Sequence, residues 1–390
     1  MKISKVETTV VTVPFTRPEI WAQGARPCIT SVILEVTTDD GITGLGETLG
    51  DERAAAEIEG MVCPGLDVFE LEPLRHRYSG RSSLYAAVEM ALLDIQGKAI
   101  GEPVHKLFGG AVRRKVAYMY YLLRDHPKVM AEEALRAVEA GFDTIYIKVG
   151  IDVQEDLTAI RSIREAIGLE AKLRIDPNEK WTVGTAARLG HYLQEFNLEL
   201  LEDPIPRQDL GGMRRLRSSL NIPIAAQESC VTLRDIFTVL ANAAADIILV
   251  DQHRNGGLTG MRRAAAMVEA AGMPVYKHSG GELGISTAAA THALSTMPNN
   301  LLASQTYWQF LEGDIIQEPM AKELLENGYI EVPDLPGLGV TLDRRKLAHY
   351  HDVYLRKEVV DGNYQWNRLT YRIDDLEKPS EASPWGTPLF

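Results

Sequence analysis

From residue 144 onward, short apolar runs alternate with stretches of helical periodicity, and each run ends on a polar residue. Residues 144–147 lead to Lys148, 173–175 to Asp176, 198–201 to Glu202 and 222–226 to Gln227 and Glu228. The beat continues through 246–250 to Asp251, 274–277 to His278 and 301–304 to Gln305. Between the runs, stretches such as 131–138 and 157–163 carry apolar residues three and four apart, the spacing of a helix with one buried face. Strand and helix alternating on a fixed period predict a parallel α/β fold. Seven such beats, with 116–121 as a candidate first strand, predict a (β/α)8-type (modified TIM) barrel rather than an open sheet.

Residues 1–112 do not keep this beat. Residues 2–13 and 30–37 alternate as strands, 42–49 read as a third, and helices follow up to Lys98. This predicts an N-terminal α+β capping domain at 1–112, a barrel at 113–335 and a C-terminal segment at 336–390 that packs back on the cap. The last part of that segment is polar and carries Pro379, Pro384 and Pro388, so it is expected on the surface or against a neighbouring subunit. Between the first two strands, residues 14–27 are punctuated by Pro and Gly at both ends. A loop of that length is usually functional, and a mobile lid carrying Arg17 and Trp21 is expected there.

In such a barrel the C-terminal strand ends carry the chemistry. Asp176, Glu202 and Glu228 are equally spaced at three successive strand ends, and three carboxylates converging on one mouth suit a hard divalent cation, Mg²⁺. Lys148 stands one beat before them. Burial and a nearby cation are expected to depress its pKa, which suits a general base. Asp251 and His278 stand on the next two strand ends, where a carboxylate can fix the imidazole tautomer and raise its basicity. Asn178 is expected beside the metal or shaping the loop, and Gln227 facing the barrel wall.

Composition narrows the partners. The chain has 390 residues, a net charge of −13 and no basic cluster, which argues against nucleic acid. Three scattered cysteines, Cys28, Cys63 and Cys230, lack both disulfide parity and zinc spacing. No apolar run is long enough to span a bilayer and no signal peptide is seen, so a cytoplasmic protein, no membrane partner and a homo-oligomer are expected. No Gly-x-Gly-x-x-Gly follows the early strands, which removes support for a nucleotide-binding open sheet.

The segments 91–98, 101–104 and 107–110, the motifs around Asp176, Glu202 and Glu228, and Asp251 with Gly256-Gly257 and His278 together resemble the enolase superfamily, of the mandelate racemase and muconate lactonizing type. The stretch from 278 to 313 and 336–340 resembles acid-sugar, glucarate-like dehydratases. The resemblance implies a Mg²⁺-dependent removal of the proton alpha to a carboxylate, with Lys148 and the Asp251–His278 dyad as acid and base. It also marks two departures. Tyr146 stands where the family usually has a lysine that helps hold the substrate carboxylate. Gln305 stands where many relatives have a glutamate on the enolate. Tyr146, Asn178, Gln305, Trp21 and Arg17 are thus the expected substrate contacts. The expected reaction is dehydration of a small sugar acid to a 2-keto-3-deoxy acid. Racemisation or epimerisation comes next and lactone cycloisomerisation third; a non-enzymatic sugar-acid binding module is the reading from another class.

Overall fold

The computed structural model describes residues 1–318 and 320–357. The chain opens with an antiparallel sheet, β1 (Ile3–Trp21), β2 (Gly24–Thr38) and β3 (Thr43–Leu49), in that spatial order. Helices α1 (Glu52–Met61), α2 (Leu71–Arg77), α3 (Ser82–Ile100) and α4 (Val104–Leu107) follow. Helix α3 is buried from Tyr85 to Gly97, as its nearly unbroken apolar sequence requires. Its Asp94 accepts hydrogen bonds from Leu45 N (2.9 Å), Lys98 Nζ (2.7 Å) and Leu338 N (2.8 Å). One buried acid thus ties β3, α3 and the segment after the barrel.

The alternation then begins. In order come β4 (Lys115–Ala117), β5 (Tyr120–Leu122), α5 (Pro127–Glu139), β6 (Thr144–Lys148), α6 (Val153–Ile167), β7 (Lys172–Asp176), α7 (Val183–Leu193), β8 (Leu200–Glu202) and α8 (Leu210–Ser219). They are followed by β9 (Ile224–Ala226), α9 (Leu233–Ala241), β10 (Ile247–Val250), α10 (Gly257–Ala270), β11 (Val275–Lys277) and α11 (Gly284–Ser295). The strands from β5 to β11 form one parallel sheet in sequence order. Residues 299–305 close it by backbone bonds on both sides. Val275 N donates to Asn299 O and Gln305 N to Lys277 O, while Ser304 N donates to Ala117 O and Met119 N to Ser304 O. The ring is therefore the expected barrel, with an irregular last stave.

The candidate first strand at 116–121 divides. β4 pairs antiparallel with β12 (Tyr329–Glu331), which follows α12 (Met320–Asn327), and only β5 joins the barrel sheet. The last helix among the described residues, α13 (Arg344–Arg356), lies on β1, where His351 Nδ1 meets Val10 O at 2.7 Å. Residues 358–390, on which the expectation of a packed tail falls, lie outside the described residues. Among the described residues, no helix is long and apolar enough to cross a membrane.

The lid segment is not a loop. β1 runs on to Trp21 and turns directly into β2, with a register shift between Pro14 and Glu19. Thr16 N bonds Phe310 O at 2.8 Å, and Gln23 Nε2 reaches Asn178 O at 2.6 Å. The Pro and Gly residues that suggested a loop sit at the irregularity and the turn of this hairpin.

The barrel strands alternate strictly. Ile145, Ile147, Leu173, Ile175, Leu201, Ile224, Ala226, Ile248 and Val250 pack in the core under the helices. Tyr146, Leu200, Ala225, Ile247, Leu249, Tyr276 and Ala303 form a separate cluster inside the ring. Interior residues alternate with exterior ones along every strand, so the next interior position lies two residues on.

Candidate active site at the barrel mouth

Counting two residues onward from Tyr146, Arg174, Leu200, Ala225, Leu249, Tyr276 and Ala303 gives Lys148, Asp176, Glu202, Gln227, Asp251, His278 and Gln305. Asp176 and Glu202 are both fully buried. Lys148 Nζ donates to Asp176 Oδ2 at 2.6 Å, and the Tyr146 hydroxyl donates to the same oxygen at 2.8 Å. Asn178 N closes on Asp176 Oδ1 at 2.6 Å, while the Asn178 side-chain oxygen has no protein partner. Tyr276 donates to Glu202 Oε2 at 2.5 Å. Burial raises the Glu202 pKa far above the carboxylate range, and the negative charge of Asp176 adds to it. Burial pushes the Lys148 ammonium down, but Asp176, Glu202 and Glu19 outweigh it and its pKa is raised.

Glu228 is placed differently. It stands one residue past the interior position, and its carboxylate pairs with Arg254 (3.1 Å) and Arg207 (2.7 Å). Burial raises its pKa, but the Arg254 contacts with the charges of His278 and Arg207 more than offset this, so it lies below the usual value. Asp203, the residue after Glu202, accepts the backbone N–H of Gln227 (3.1 Å) and Glu228 (3.0 Å) and pins the turn.

On the far strands, His278 Nδ1 meets Asp251 Oδ2 at 2.8 Å, as the dyad requires. Asp251 Oδ1 also accepts from His253 N (2.6 Å) and Arg254 N (3.2 Å). Burial raises the Asp251 pKa, but the His278 hydrogen bond and charge hold it well below the carboxylate range. Burial lowers the His278 pKa, and the Asp251 contact only partly opposes this. The loop after Asp251 returns into α10 through Gly257, at φ 81°, where an added Cβ would meet Glu89 Oε2 at 2.0 Å. That close approach is the physical need behind Gly257, while Gly256 serves the positive φ of 85° at the helix start.

The remaining expected contacts separate. Gln305 is buried; its Oε1 accepts from Ser279 N (2.9 Å), and its Nε2 has no protein partner. Arg17 is committed to Asp125 (3.0 Å) and Glu133 (2.5 Å) beside α5. Trp21 ends β1 half-buried, its ring against Gly24. Lys277 pairs with Glu282 (3.1 Å), and His253 Nε2 with Ser286 (3.0 Å).

Sequence reasoning missed Glu19. The hairpin buries it at the mouth, where its Oε1 accepts from Tyr121 (2.6 Å) and Tyr307 (2.8 Å) and its Oε2 from Arg26 (2.7 Å). Burial raises its pKa, but Arg26, the two phenols and Lys148 lower it further. No local signal marks it, because the two phenols that bury it come from far along the chain.

Two adjacent desolvated carboxylates that repel each other, both oxygen donors, fit a hard dication such as Mg²⁺. Among the described residues, no group of three or more His, Cys, Asp or Glu side chains is arranged to hold a metal ion. The fit therefore rests on Asp176 and Glu202 alone.

The comparisons with known proteins agree with this architecture. Residues 5–109 match the mandelate racemase / muconate lactonizing enzyme N-terminal domain, and residues 129–346 match the enolase C-terminal domain-like family. The chain is 31% identical to the Probable glucarate dehydratase of Streptomyces coelicolor, over 87% of this chain and 88% of that protein. It is 29% identical to the Hydrophobic dipeptide epimerase of Enterococcus faecalis, over 87% of this chain and all of that protein. The crystal structure of an enolase from Thermobispora bispora, complexed with magnesium and formate, superposes with a TM-score of 0.85 at 33% identity, covering 92% of this chain and 94% of that one. The barrel, its cap and the full-length matches together show that this chain is a member of the mandelate racemase/muconate lactonizing enzyme family of the enolase superfamily.

Proposed function

We propose that the protein dehydrates a small sugar acid to a 2-keto-3-deoxy acid, with Mg²⁺ held by Asp176 and Glu202. The observation that carries this reading is the Asp251–His278 pair at 2.8 Å on the ring that also holds Lys148 against Asp176, with strands β7 to β9 between the pair and Lys148 in the sheet. A pure binding module has no use for two separated proton-transfer groups in one mouth. The dehydratase named among the relatives supports the class, and the magnesium and formate in the similar structure support a carboxylate ligand.

The cation would supply Lewis-acid stabilisation of the negative charge that develops when the α proton leaves. The protein residues do the rest. A cation held by Asp176 and Glu202 would screen the carboxylates that raise the Lys148 pKa, so that Lys148 takes the α proton as an amine, while Tyr146 holds Asp176 in place through its own hydroxyl. His278, as the imidazolium whose Nδ1–H is held by Asp251, gives its Nε2 proton to the departing β-hydroxyl and is left neutral. The C2–C3 double bond forms as water leaves, and the enol product tautomerises to the 2-keto acid. The free Nε2 of Gln305 is a neutral donor that can orient the substrate but cannot deliver a proton. The expectation of a metal ligand at Glu228 is not carried into this mechanism, because Arg254 and Arg207 hold that carboxylate.

Epimerisation is the second reading, favoured by the same two bases and by the epimerase among the relatives. A screen of mono- and diacid sugars with Mg²⁺ for 2-keto-acid formation separates the two. Dehydration predicts a keto acid in wild type and none in His278→Asn, with α-proton exchange in deuterated water persisting through Lys148. A wild type that yields only an epimer replaces the reading, and neither product nor exchange with any acid leaves a binding module.

A further inference from the structure

The turn that follows His278 is held from two directions. Within the barrel, Ser279 N donates to Gln305 Oε1 at 2.9 Å and Gly281 N to Ser279 Oγ at 3.3 Å. Glu282 accepts from Lys277 Nζ at 3.1 Å and from the Ser279 hydroxyl. From the cap, Arg26 Nη1 donates to Gly280 O at 2.8 Å, and Glu47 accepts the N–H groups of Leu283 and Ser286. A cation thus takes a carbonyl at one end of the turn, and a carboxylate takes N–H groups at the other. The turn lies directly on β2. A Cβ at Gly281, where φ is 106°, would come within 3.0 Å of Ile29 Cδ1 and 3.4 Å of Arg26 Nη1.

Arg26 is itself fixed. It stands across the β1–β2 ladder from Glu19, whose Oε2 accepts from Arg26 Nε at 3.2 Å and Nη2 at 2.7 Å. Its guanidinium carbon lies 5.0 Å from the centre of the Tyr307 ring and 5.6 Å from that of Phe15. With Nε and Nη2 held by Glu19, the planar fork aims Nη1 at Gly280. One ammonium group cannot make both contacts.

We infer that Arg26 is a positioning residue for the His278 side of the mouth. Through Gly280 it seats the turn that carries the Gln305 amide contact and follows His278 directly, so the cap brings the acid of the elimination into place. This rests on the reading of His278 as that acid. Lys148 is held elsewhere, by Asp176 across the β6–β7 pair. Loss of the Arg26 tether therefore separates the two proton transfers: α-proton removal persists, and departure of the hydroxyl slows.

The test uses the full chain carrying Arg26→Lys, which keeps a cation opposite Glu19 but gives up the reach to Gly280, or Arg26→Met, which removes both contacts. Backbone amide exchange, read by mass spectrometry without metal or substrate, should be about tenfold faster at residues 279–286 in both variants and unchanged at residues 173–176. Equal protection of 279–286 in wild type and Arg26→Lys overturns the inference. With a sugar acid that wild type converts in the presence of Mg²⁺, Arg26→Lys should form 2-keto acid about tenfold more slowly. Its α-proton exchange in deuterated water should stay within about threefold of wild type. Both rates falling together, or neither falling, also overturns the inference. If Arg26→Met leaves Glu19 buried without a cation and does not fold, Arg26→Lys decides alone. A wild type that forms no keto acid from any acid overturns the dehydration reading instead, and the tether is then judged by the amide exchange.

Discussion

The two halves of the barrel mouth hold their carboxylates by opposite means. On β7 and β8, Asp176 and Glu202 each accept a tyrosine hydroxyl, from Tyr146 and Tyr276, and Asp176 alone adds an ammonium partner, Lys148. On the β9 and β10 side, Glu228 is paired with Arg254 and Arg207, and Asp251 with His278. A phenol orients a carboxylate and leaves its charge in place, at the expense of strong repulsion between buried neighbours. A guanidinium or imidazole cancels the charge and removes the oxygen from other uses. The first half thus leaves Glu202 with its charge uncancelled, whereas the second pairs each carboxylate with a cationic or titratable side chain.

The largest effect that tests this contrast comes from Glu202→Gln. It should lower kcat/KM by about three orders of magnitude or more, because several kcal/mol of charge stabilisation depend on the cation. Activity within tenfold of wild type would show that the phenol-held carboxylates are structural. Next, Tyr276→Phe keeps the carboxylate but frees its orientation. Metal affinity and activity should fall about tenfold, with little change in Tm. Arg254→Met should show the reverse signature: Mn²⁺ affinity within about threefold, but a loss of about 1 kcal/mol, a shift of about 2 °C in a chain of this size. If Arg254→Met instead tightens Mn²⁺ strongly, Glu228 is a ligand held in reserve and the contrast breaks down.

The smallest effect concerns a carboxyl with neither phenol nor arginine. Glu47, on β3, accepts only the backbone N–H of Leu283 (2.6 Å) and Ser286 (2.9 Å) at the start of α11. Burial, aided by the nearby charges of Asp314 and Glu282, pushes its pKa up to about 8. The folded state therefore holds a proton that the unfolded chain releases near its ordinary pKa. That contribution is complete below the unfolded value and is lost as pH rises toward about 8. Tm should fall less steeply between pH 5 and 8 in Glu47→Gln than in wild type, whatever its absolute stability; equal slopes would show that Glu47 is ionised throughout.

Much of this was legible in the chain. The periodic strand ends locate Lys148, Asp176, Glu202, Asp251, His278 and Gln305, because a strand's last polar residue is a local property and the helices between are strongly amphipathic. Residue parity was not legible at 222–228. The apolar run begins before Pro223, but the ladder starts only at Ile224, so the run's length does not say which residue faces inward. The hairpin was hidden for a similar reason, since Pro14, Pro18, Gly24 and Pro27 look like loop punctuation until the bulge and turn that use them are seen. Glu19 was out of reach, because its burial depends on Tyr121 and Tyr307, far along the chain.

That last contact reaches beyond this one site. Glu19 comes from the first strand of the chain, Tyr121 from the start of the barrel, and Tyr307 from its closing stave. Cap and barrel look like exchangeable modules, joined near residue 112. A chimera crossed over at that joint would nevertheless combine one parent's carboxylate with the other's two phenols. Exchanging the cap of this chain alone would therefore part Glu19 from Tyr121 and Tyr307 and leave a buried carboxylate or its two phenols without their partners.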